Sequence, residues 1–247
     1  YLIFVDGDDF ITPDHVEYMF SLVNATQSEF CLSKHSFTKK GETQITKDSI
    51  EKLNSEEATA LLLSPDIIVG CWNKIYKRSL LVSNNICFSE SLFYGEGLTF
   101  ITDVSQIAKT IGVGRRKVYF YRKNNANSAT TKFDINKIYN GEKALLGIEE
   151  RLKVDSVNVS KMFSYHLSLY RLGALVKVIS NGVEKEYLAD YNRWLSFIRL
   201  NCFKFILFPD LSVYRKLLLL VGSLSPSLLV KLDEIRRSRN FTNSVDK

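Results

Sequence analysis

Three aspartates stand within four positions near the start of the sequence, in Val5-Asp6-Gly7-Asp8-Asp9. They follow the apolar run Tyr1 to Val5, which predicts a buried strand, and open α/β sheets bind ligands at the carboxyl ends of their strands. Carboxylates this close repel one another unless a cation neutralises them, and a divalent metal carrying phosphates is a common solution. Asp and Gly are also ordinary turn residues, so this stretch alone fits an exposed loop equally well.

A second group of chemical interest is Cys71-Trp72-Asn73-Lys74-Ile75-Tyr76-Lys77-Arg78. Asn73 and Lys74 stand between large apolar side chains, which makes them candidates for an oriented polar pair facing a cleft. The apolar members of the group are equally well explained as core and rim residues, and Lys77 and Arg78 as solvated charges.

The segment Phe93-Tyr94-Gly95-Glu96-Gly97-Leu98 runs into a helical pattern that continues to about Lys109. Glu96 therefore lies at the amino end of a helix, where the dipole favours a carboxylate. It is either an ordinary helix-terminal charge or an acid at the lip of the cleft that contains Asp8.

A predicted strand, Val118 to Arg122, leads into the polar loop Lys123 to Thr131. The loop is rich in hydroxyls and amides, including Ser128 and Thr130, and basic residues flank it. This chemistry suits a mobile loop that closes over phosphates, and a solvated surface loop is equally consistent with it.

The elements that must position these groups alternate between strand and helix up to residue 133. Thr12-Pro13-Asp14 begins a helix, and its predicted core face is Val16, Met19, Phe20 and Val23. Phe30 to Phe37 predicts a strand, Thr43 to Thr46 a return strand, and Ser55 a helix that ends by Pro65. Residues 134–247 are helical in pattern, so the sequence predicts an α/β region over 1–133 and a helical region over 134–247.

Charge is distributed unevenly between these two regions. The first 133 residues hold 15 Lys and Arg against 15 Asp and Glu, whereas residues 134–247 hold 18 against 12. The basic excess suits an anionic membrane surface or a polyanionic acceptor. No apolar run reaches the roughly 18 residues of a membrane span. An amphipathic helix lying on a membrane and a helix packed on the first region are both consistent with the pattern.

The composition is that of a globular protein, with 45% hydrophobic and 24% charged residues. The four cysteines and three histidines lack the spacing of a zinc site or a disulfide framework, which fits a reducing compartment.

In their order and spacing, the groups at Val5 to Asp9, Cys71 to Arg78, Phe93 to Phe100 and Phe120 to Thr131 resemble family 2 glycosyltransferases of the GT-A fold. The resemblance is to members from bacterial capsule, cell-wall and surface-polysaccharide synthesis, and it covers roughly residues 1–133. It implies an α/β, Rossmann-like nucleotide-sugar domain that lacks its first strands, followed by a mostly α-helical C-terminal region.

The resemblance also implies an activity. The expected reaction is metal-dependent, inverting transfer of a hexose from a nucleotide-diphosphate donor, a UDP-sugar in the first instance, to a lipid-linked or polysaccharide acceptor. The expected location is the cytoplasm, peripheral on the inner face of the plasma membrane through the basic C-terminal region. No nucleic acid is expected as a partner.

The family's functional residues carry over by position. Asp8 and Asp6 are the expected ligands of Mg²⁺ or Mn²⁺, with Asp6 also beside the ribose and Asp9 in the donor site. Arg122, Ser128 and Thr130 are expected on the diphosphate. Trp72, Asn73, Lys74 and Tyr121 are expected on the sugar and acceptor side, and Glu96 is the expected catalytic residue.

Two departures from the family pattern lead to an alternative. Gly97 stands where the family usually has an Asp that acts as general base, so either Glu96 takes over or the enzyme is impaired. The family's first strand–turn–helix–strand segment would precede Tyr1, so the chain is expected to be a fragment. The alternative is a truncated or degenerate, non-catalytic relative. A phosphatase of the haloacid dehalogenase type is disfavoured, because it needs Gly-Thr where Asp9-Phe10 stands.

Overall fold

The computed structural model describes residues 1–39, 41–122, 133–208 and 211–245, with side chains up to Ile235. The chain divides into two compact units, Tyr1–Phe163 and Ser164–Lys247. The first unit extends beyond residue 133, where the sequence placed the boundary, because helix α5 (Ile135–Arg151) packs against helix α4 (Glu96–Ile107).

Among the described residues of the first unit, five strands form a mixed sheet. Their spatial order is β1 (Leu2–Ile3), β5 (Lys74–Tyr76), β3 (Phe30–Ser33), β6 (Ile111–Gly114) and β4 (Glu51–Leu53). β3 and β6 run parallel, and the other three pairings are antiparallel. Helices α1 (His15–Thr26), α2 (Ser55–Leu63) and α3 (Arg78–Ser83) alternate with the strands, so the unit has the predicted α/β architecture.

A second, two-stranded sheet joins distant parts of the chain. β2 (Phe10–Ile11) pairs antiparallel with β7 (Tyr119–Phe120), with Ile11 opposite Tyr119. The Thr12 main-chain N–H continues this pairing by donating to the Val118 carbonyl at 3.1 Å. The residues that follow Asp6 to Asp9, which we call the acidic turn, are therefore paired with β7, the strand that precedes the predicted polar loop Lys123 to Thr131.

The predicted buried strand Tyr1 to Val5 is wrong in extent and burial. Only Leu2–Ile3 form a strand, and within the described chain this strand pairs with β5 alone, at the edge of the sheet. Tyr1, Leu2 and Val5 are exposed, and only Ile3 and Phe4 are partly buried. Phe4 anchors the segment through edge-on ring contacts with Tyr76, Phe88 and Phe100 at centroid distances of 5.5, 5.4 and 5.8 Å.

Helix α1 buries a different face from the predicted one. Met19 and Val23 are buried as expected, but Val16 and Phe20 are exposed, and His15 and Tyr18 occupy the core instead. Each polar side chain has at least one partner that offsets part of the cost of burial, although His15 Nε2 is buried without a hydrogen bond. His15 Nδ1 donates to the Val118 carbonyl at 2.8 Å, and the Tyr18 hydroxyl donates to the Asp48 carboxylate at 2.8 Å.

Tyr18 also determines how closely α1 approaches the sheet. A Cβ at Gly114, on β6, would collide with the Tyr18 hydroxyl and come within 2.8 Å of Leu22 Cδ2. The helix can lie this near the strand only because residue 114 has no side chain.

The predicted return strand Thr43 to Thr46 is also wrong, since β4 lies at Glu51–Leu53. The Gln44 side chain takes the place of a strand pairing. Its amide donates to the Lys117 carbonyl and accepts from the Lys117 N–H, both at 2.8 Å.

The second unit is helical, as the sequence predicts. It contains the end of α6 (Val157–Ser180), and then α7 (Leu188–Ile206), α8 (Val213–Leu224) and α9 (Pro226–Val245). Trp194 and Ile198 of α7 are fully buried. In the part of the chain that is described, none of the helices has both the length and the apolarity needed to cross a bilayer.

Candidate active site

The acidic turn is held by a compact set of hydrogen bonds centred on Tyr119. The Asp9 N–H donates to the Asp6 carbonyl at 3.1 Å, which closes the turn. The Tyr119 hydroxyl donates to Asp9 Oδ2 at 2.9 Å and accepts from the Asp6 N–H at 3.0 Å. The Arg122 N–H donates to Asp9 Oδ1 at 2.8 Å. Both oxygens of Asp9 are thus engaged with β7 and its continuation, so Asp9 fixes the turn in place.

Glu96 lies within electrostatic reach of this turn. Burial raises the pKa of the Asp6 carboxyl, and the neighbouring carboxylates of Asp9, Asp8 and Glu96 raise it further. Glu96 is the first residue of α4, as the sequence predicts. The fold therefore brings Glu96, the predicted catalytic residue, near the predicted metal-binding aspartates, although they are far apart in the sequence.

The donor chemistry of the turn fits a hard divalent cation. Among the described residues, no three His, Cys, Asp or Glu side chains form a group that could hold a metal unaided. Mg²⁺ is commonly held by one or two carboxylates together with substrate phosphates, so a site completed by a diphosphate needs no third protein ligand. Burial raises the pKa of Asp6 most and the neighbouring carboxylates raise it further, and a bound cation would offset this second contribution. Metal binding by Asp8 and Asp6 remains a prediction.

An aromatic wall stands beside the turn. The Trp72 indole is buried and stacks on Tyr119 at a centroid distance of 4.5 Å and on Tyr121 at 5.1 Å, with ring planes within 16° and 10° of parallel. Burial raises the pKa of Tyr121, and Asp9, Asp6 and Asp8 add to the rise, so this phenol lies near the acids. Trp72 and Tyr119 are buried, so the partly exposed Tyr121 is the member of the wall that a sugar or a base could contact.

Asn73 and Lys74 point into the protein scaffold. Their exposed fractions are only 3% and 2%. Asn73 has a left-handed backbone, with φ of 56°, and its Nδ2 donates to the carbonyls of Ser33 and His35, both at 3.0 Å. Lys74 Nζ donates to the Gly70 carbonyl at 2.7 Å and the Trp72 carbonyl at 3.2 Å. These contacts position the segment that carries Trp72. The two side chains therefore do not face a cleft, although the sequence predicts that they do.

The Lys74 ammonium gives a testable dependence of stability on pH. Burial lowers the pKa of Lys74 from its ordinary value of 10.5 to about 8. Between these values the unfolded chain binds a proton that the folded chain does not, so the contribution of Lys74 to stability becomes more favourable as pH rises. We expect the unfolding free energy of wild type, relative to that of Lys74→Met, to increase by about 1–2 kcal/mol from about pH 7.5 to about pH 9.5.

Urea unfolding of both proteins at the two pH values measures this difference. The comparison cancels the titration of other groups, such as Cys31, whose pKa is raised to about 11 by burial. Parallel pH dependences for wild type and Lys74→Met would contradict the assignment.

Gly97 is the second residue of α4 and has room for a side chain. A Cβ there would lie 3.6 Å from the Cys71 nitrogen and 3.7 Å from the Gly70 Cα, which are ordinary contacts. Gly95 is different, because it has φ of 88° and a Cβ there would come within 2.7 Å of Ala144 Cβ. Substitution at residue 97 is therefore tolerated sterically, whereas substitution at residue 95 is not.

The remaining predicted site residues differ in how far the structure places them. The guanidinium of Arg122 lies 4.8 Å over the Phe10 ring, next to the acidic turn. Ser128 and Thr130 lie outside the described residues. Tyr119 was missed as a site residue. The period-two alternation of a strand puts Tyr119 and Tyr121 on one face, and the structure shows that this face stacks on Trp72.

Comparison with solved structures relates this fold to TarS of S. aureus, a glycosyltransferase. TarS 1–349 in complex with UDP-GlcNAc matches at 19% sequence identity with a TM-score of 0.58, covering 80% of this chain and 56% of that chain. TarS 1–349 in complex with UDP matches at 14% identity with a TM-score of 0.40, covering 78% of this chain and 64% of that one.

At this level of identity, the first of these matches shows a shared fold, and this chain spans little more than half the length of that structure. No protein-family model matches the sequence, and neither does any curated protein.

Proposed function

We propose that this chain belongs to a glycosyltransferase of the GT-A type that uses a nucleotide-diphosphate sugar. The observation that carries the proposal is the convergence of Asp6, Asp8 and Glu96 beside the wall formed by Trp72 and Tyr121. A fold shared with a structure that contains UDP-GlcNAc supports it, and makes a UDP-sugar the first donor to test.

The acidic turn is the proposed donor site. Asp8 and Asp6 would hold Mg²⁺ or Mn²⁺, which, when bound, neutralises the charge that develops on the departing diphosphate. Asp9 keeps the turn in register through Tyr119. Arg122, whose guanidinium lies over the Phe10 ring beside the acidic turn, is proposed to bind phosphate oxygens together with Ser128 and Thr130.

Glu96 is the proposed general base. Its place at the first turn of α4 puts a carboxylate near the aspartates, where it can accept the proton of an acceptor hydroxyl during inverting displacement. Tyr121, which is partly exposed, is proposed to stack on the sugar, and the buried Trp72 to support the Tyr121 ring from behind. We propose a lipid-linked or polysaccharide acceptor, hexose transfer, and action at the inner face of the plasma membrane.

A binding protein without transferase activity is the second candidate. Gly97 favours it, because this position on α4 has space for the aspartate of the family pattern but lacks the side chain. Such a protein would bind a nucleotide sugar and leave it intact.

Both candidate functions require binding of a nucleotide sugar, and ligand-induced stabilisation tests that binding. We expect UDP-GlcNAc with Mn²⁺ to raise the melting temperature of the protein, because a ligand at 100 times its Kd adds about 2.7 kcal/mol of stability. Mn²⁺ alone and the sugar nucleotide with a chelator are the controls, and both should give smaller shifts. The proposal is contradicted if UDP-, GDP- and TDP-sugars with Mn²⁺ all leave the melting temperature unchanged. Release of UDP in the presence of acceptor separates the enzyme from the binding protein.

A further inference from the structure

Helix α7 in the second unit exposes an apolar stripe. Leu200 and Phe203 on the helix and Leu207 directly after it are 77%, 68% and 85% exposed. Their spacing of three and four residues places them on one face. The opposite face is buried and includes Trp194, Ile198 and Phe205. The helix is thus apolar on both faces, although only one of them is covered.

Helix α8 repeats this arrangement. Val213, Leu217 and Leu224 are 73%, 53% and 72% exposed and share one face. Gly222, on the other face, is buried against α6, and a Cβ there would lie 2.5 Å from Leu172 Cδ1. The inward contacts of α8 are therefore already made, and its outer stripe is additional apolar surface.

The two stripes belong to one packed pair of helices. α7 and α8 pack along each other, and Arg199 Nε donates to the Ser223 carbonyl at 2.9 Å. Single exposed apolar residues are common, but each of these two packed helices exposes three on one face, which is typical of an interaction surface. We call these six residues the outer stripe; they are Leu200, Phe203, Leu207, Val213, Leu217 and Leu224.

Charge identifies what covers the outer stripe. Residues 164–247 hold 13 Lys and Arg against 7 Asp and Glu, whereas residues 1–163 hold 20 of each, so the whole net charge of +6 lies in the second unit. Lys204 and Lys216 adjoin the stripe in sequence, next to Phe203 and Leu217. Like charges disfavour a second copy of the same face, and a soluble polyanion would not use the apolar surface. An anionic lipid surface matches both properties.

We propose that the outer stripe and its flanking lysines dock α7 and α8 on an anionic lipid bilayer, parallel to its surface. No described helix is long and apolar enough to cross a bilayer, so the pair lies in the interface with its apolar side chains among the acyl chains. The inference stands on the second unit alone and does not depend on the proposed transferase activity.

Vesicle co-sedimentation of the whole protein tests the proposal. The probes are phosphatidylcholine vesicles with and without about one third phosphatidylglycerol, at low and high salt. We expect binding to the anionic vesicles that weakens with salt. Phe203→Ser/Leu207→Ser should lower the partition coefficient at least about tenfold, and Lys204→Gln/Lys216→Gln roughly tenfold. Val82→Ser/Val157→Ser is the matched control, because both residues are exposed in the first unit, and it should bind as wild type does.

Several outcomes would overturn the proposal. One is the absence of binding to anionic vesicles, and another is equal binding by wild type and the Phe203/Leu207 variant. A third is a dimer in light scattering that dissociates in this variant, combined with no vesicle binding, because the outer stripe would then be covered by a second copy. Circular dichroism confirms that each variant is folded before its binding is interpreted.

Discussion

Replacing Asp8 by asparagine is expected to lower kcat/KM for glycosyl transfer by about 10³-fold, a loss of about 4 kcal/mol of transition-state stabilisation. Asparagine keeps the size of the side chain and removes the charge that holds the divalent cation. Asp8 also raises the pKa of Asp6 by its own negative charge. Its removal relieves this repulsion, so we expect the metal-free protein to be at least as stable as wild type.

A large loss of activity without a loss of stability distinguishes a metal ligand from a structural residue. The measurements are initial rates with UDP-sugar and Mn²⁺, and melting temperatures with and without Mn²⁺ and nucleotide. Asp155→Asn removes an exposed carboxylate from the same unit and should leave both unchanged. Activity of Asp8→Asn within about threefold of wild type would contradict the assignment of Asp8.

The second large effect is expected at Glu96. If Glu96 takes the proton from the acceptor, Glu96→Gln lowers kcat by about 10²-fold or more, since general-base catalysis typically contributes about 10²- to 10⁴-fold. The KM for the donor should change much less, because the amide keeps the shape of the side chain at the first turn of α4. Glu150→Gln, an exposed site on α5, is the matched control.

Gly97→Asp distinguishes this assignment from an impaired relative. A Cβ fits at residue 97, and an acid in the first turn of α4 is favoured by the helix dipole, so the variant is expected to fold. With Glu96 as the base, Gly97→Asp should give no gain in kcat. A gain of about tenfold or more, together with wild-type activity in Glu96→Gln, would establish that the natural protein lacks its base.

Local sequence signals were sufficient wherever a structure depends on neighbouring residues. The helix predicted near Ser55 is present, but its cap is Asn54, one residue before the predicted Ser55; Asn54 and Glu57 bond to each other's main chain in a capping box. Glu96 begins α4 as predicted, since Gly95 has the left-handed backbone that leads into the helix.

Long-range contacts decided the features that the sequence did not predict. The spacing of apolar residues in α1 is compatible with burial of either of two adjacent faces of the helix. Partners elsewhere in the chain, the Val118 carbonyl and Asp48, determine which face is buried. The sequence singled out Asn73 and Lys74 as a polar pair, but their direction follows from the carbonyls of neighbouring strands and loops that they bind. The contacts of Tyr119 depend on the pairing of β2 with β7, which periodicity does not reveal.

The close approach of α1 to β6 also constrains how this protein can change in evolution. The Tyr18 hydroxyl occupies the space above Gly114 while it accepts from the Arg116 N–H at 3.2 Å and donates to Asp48. A side chain at residue 114 requires the phenol to move or to be lost, and either change disturbs its bonds to the Asp48 carboxylate and the Arg116 amide. Residues 18, 48 and 114 are therefore coupled in this structure, and we expect a substitution at one of them to be tolerated best together with changes at the others.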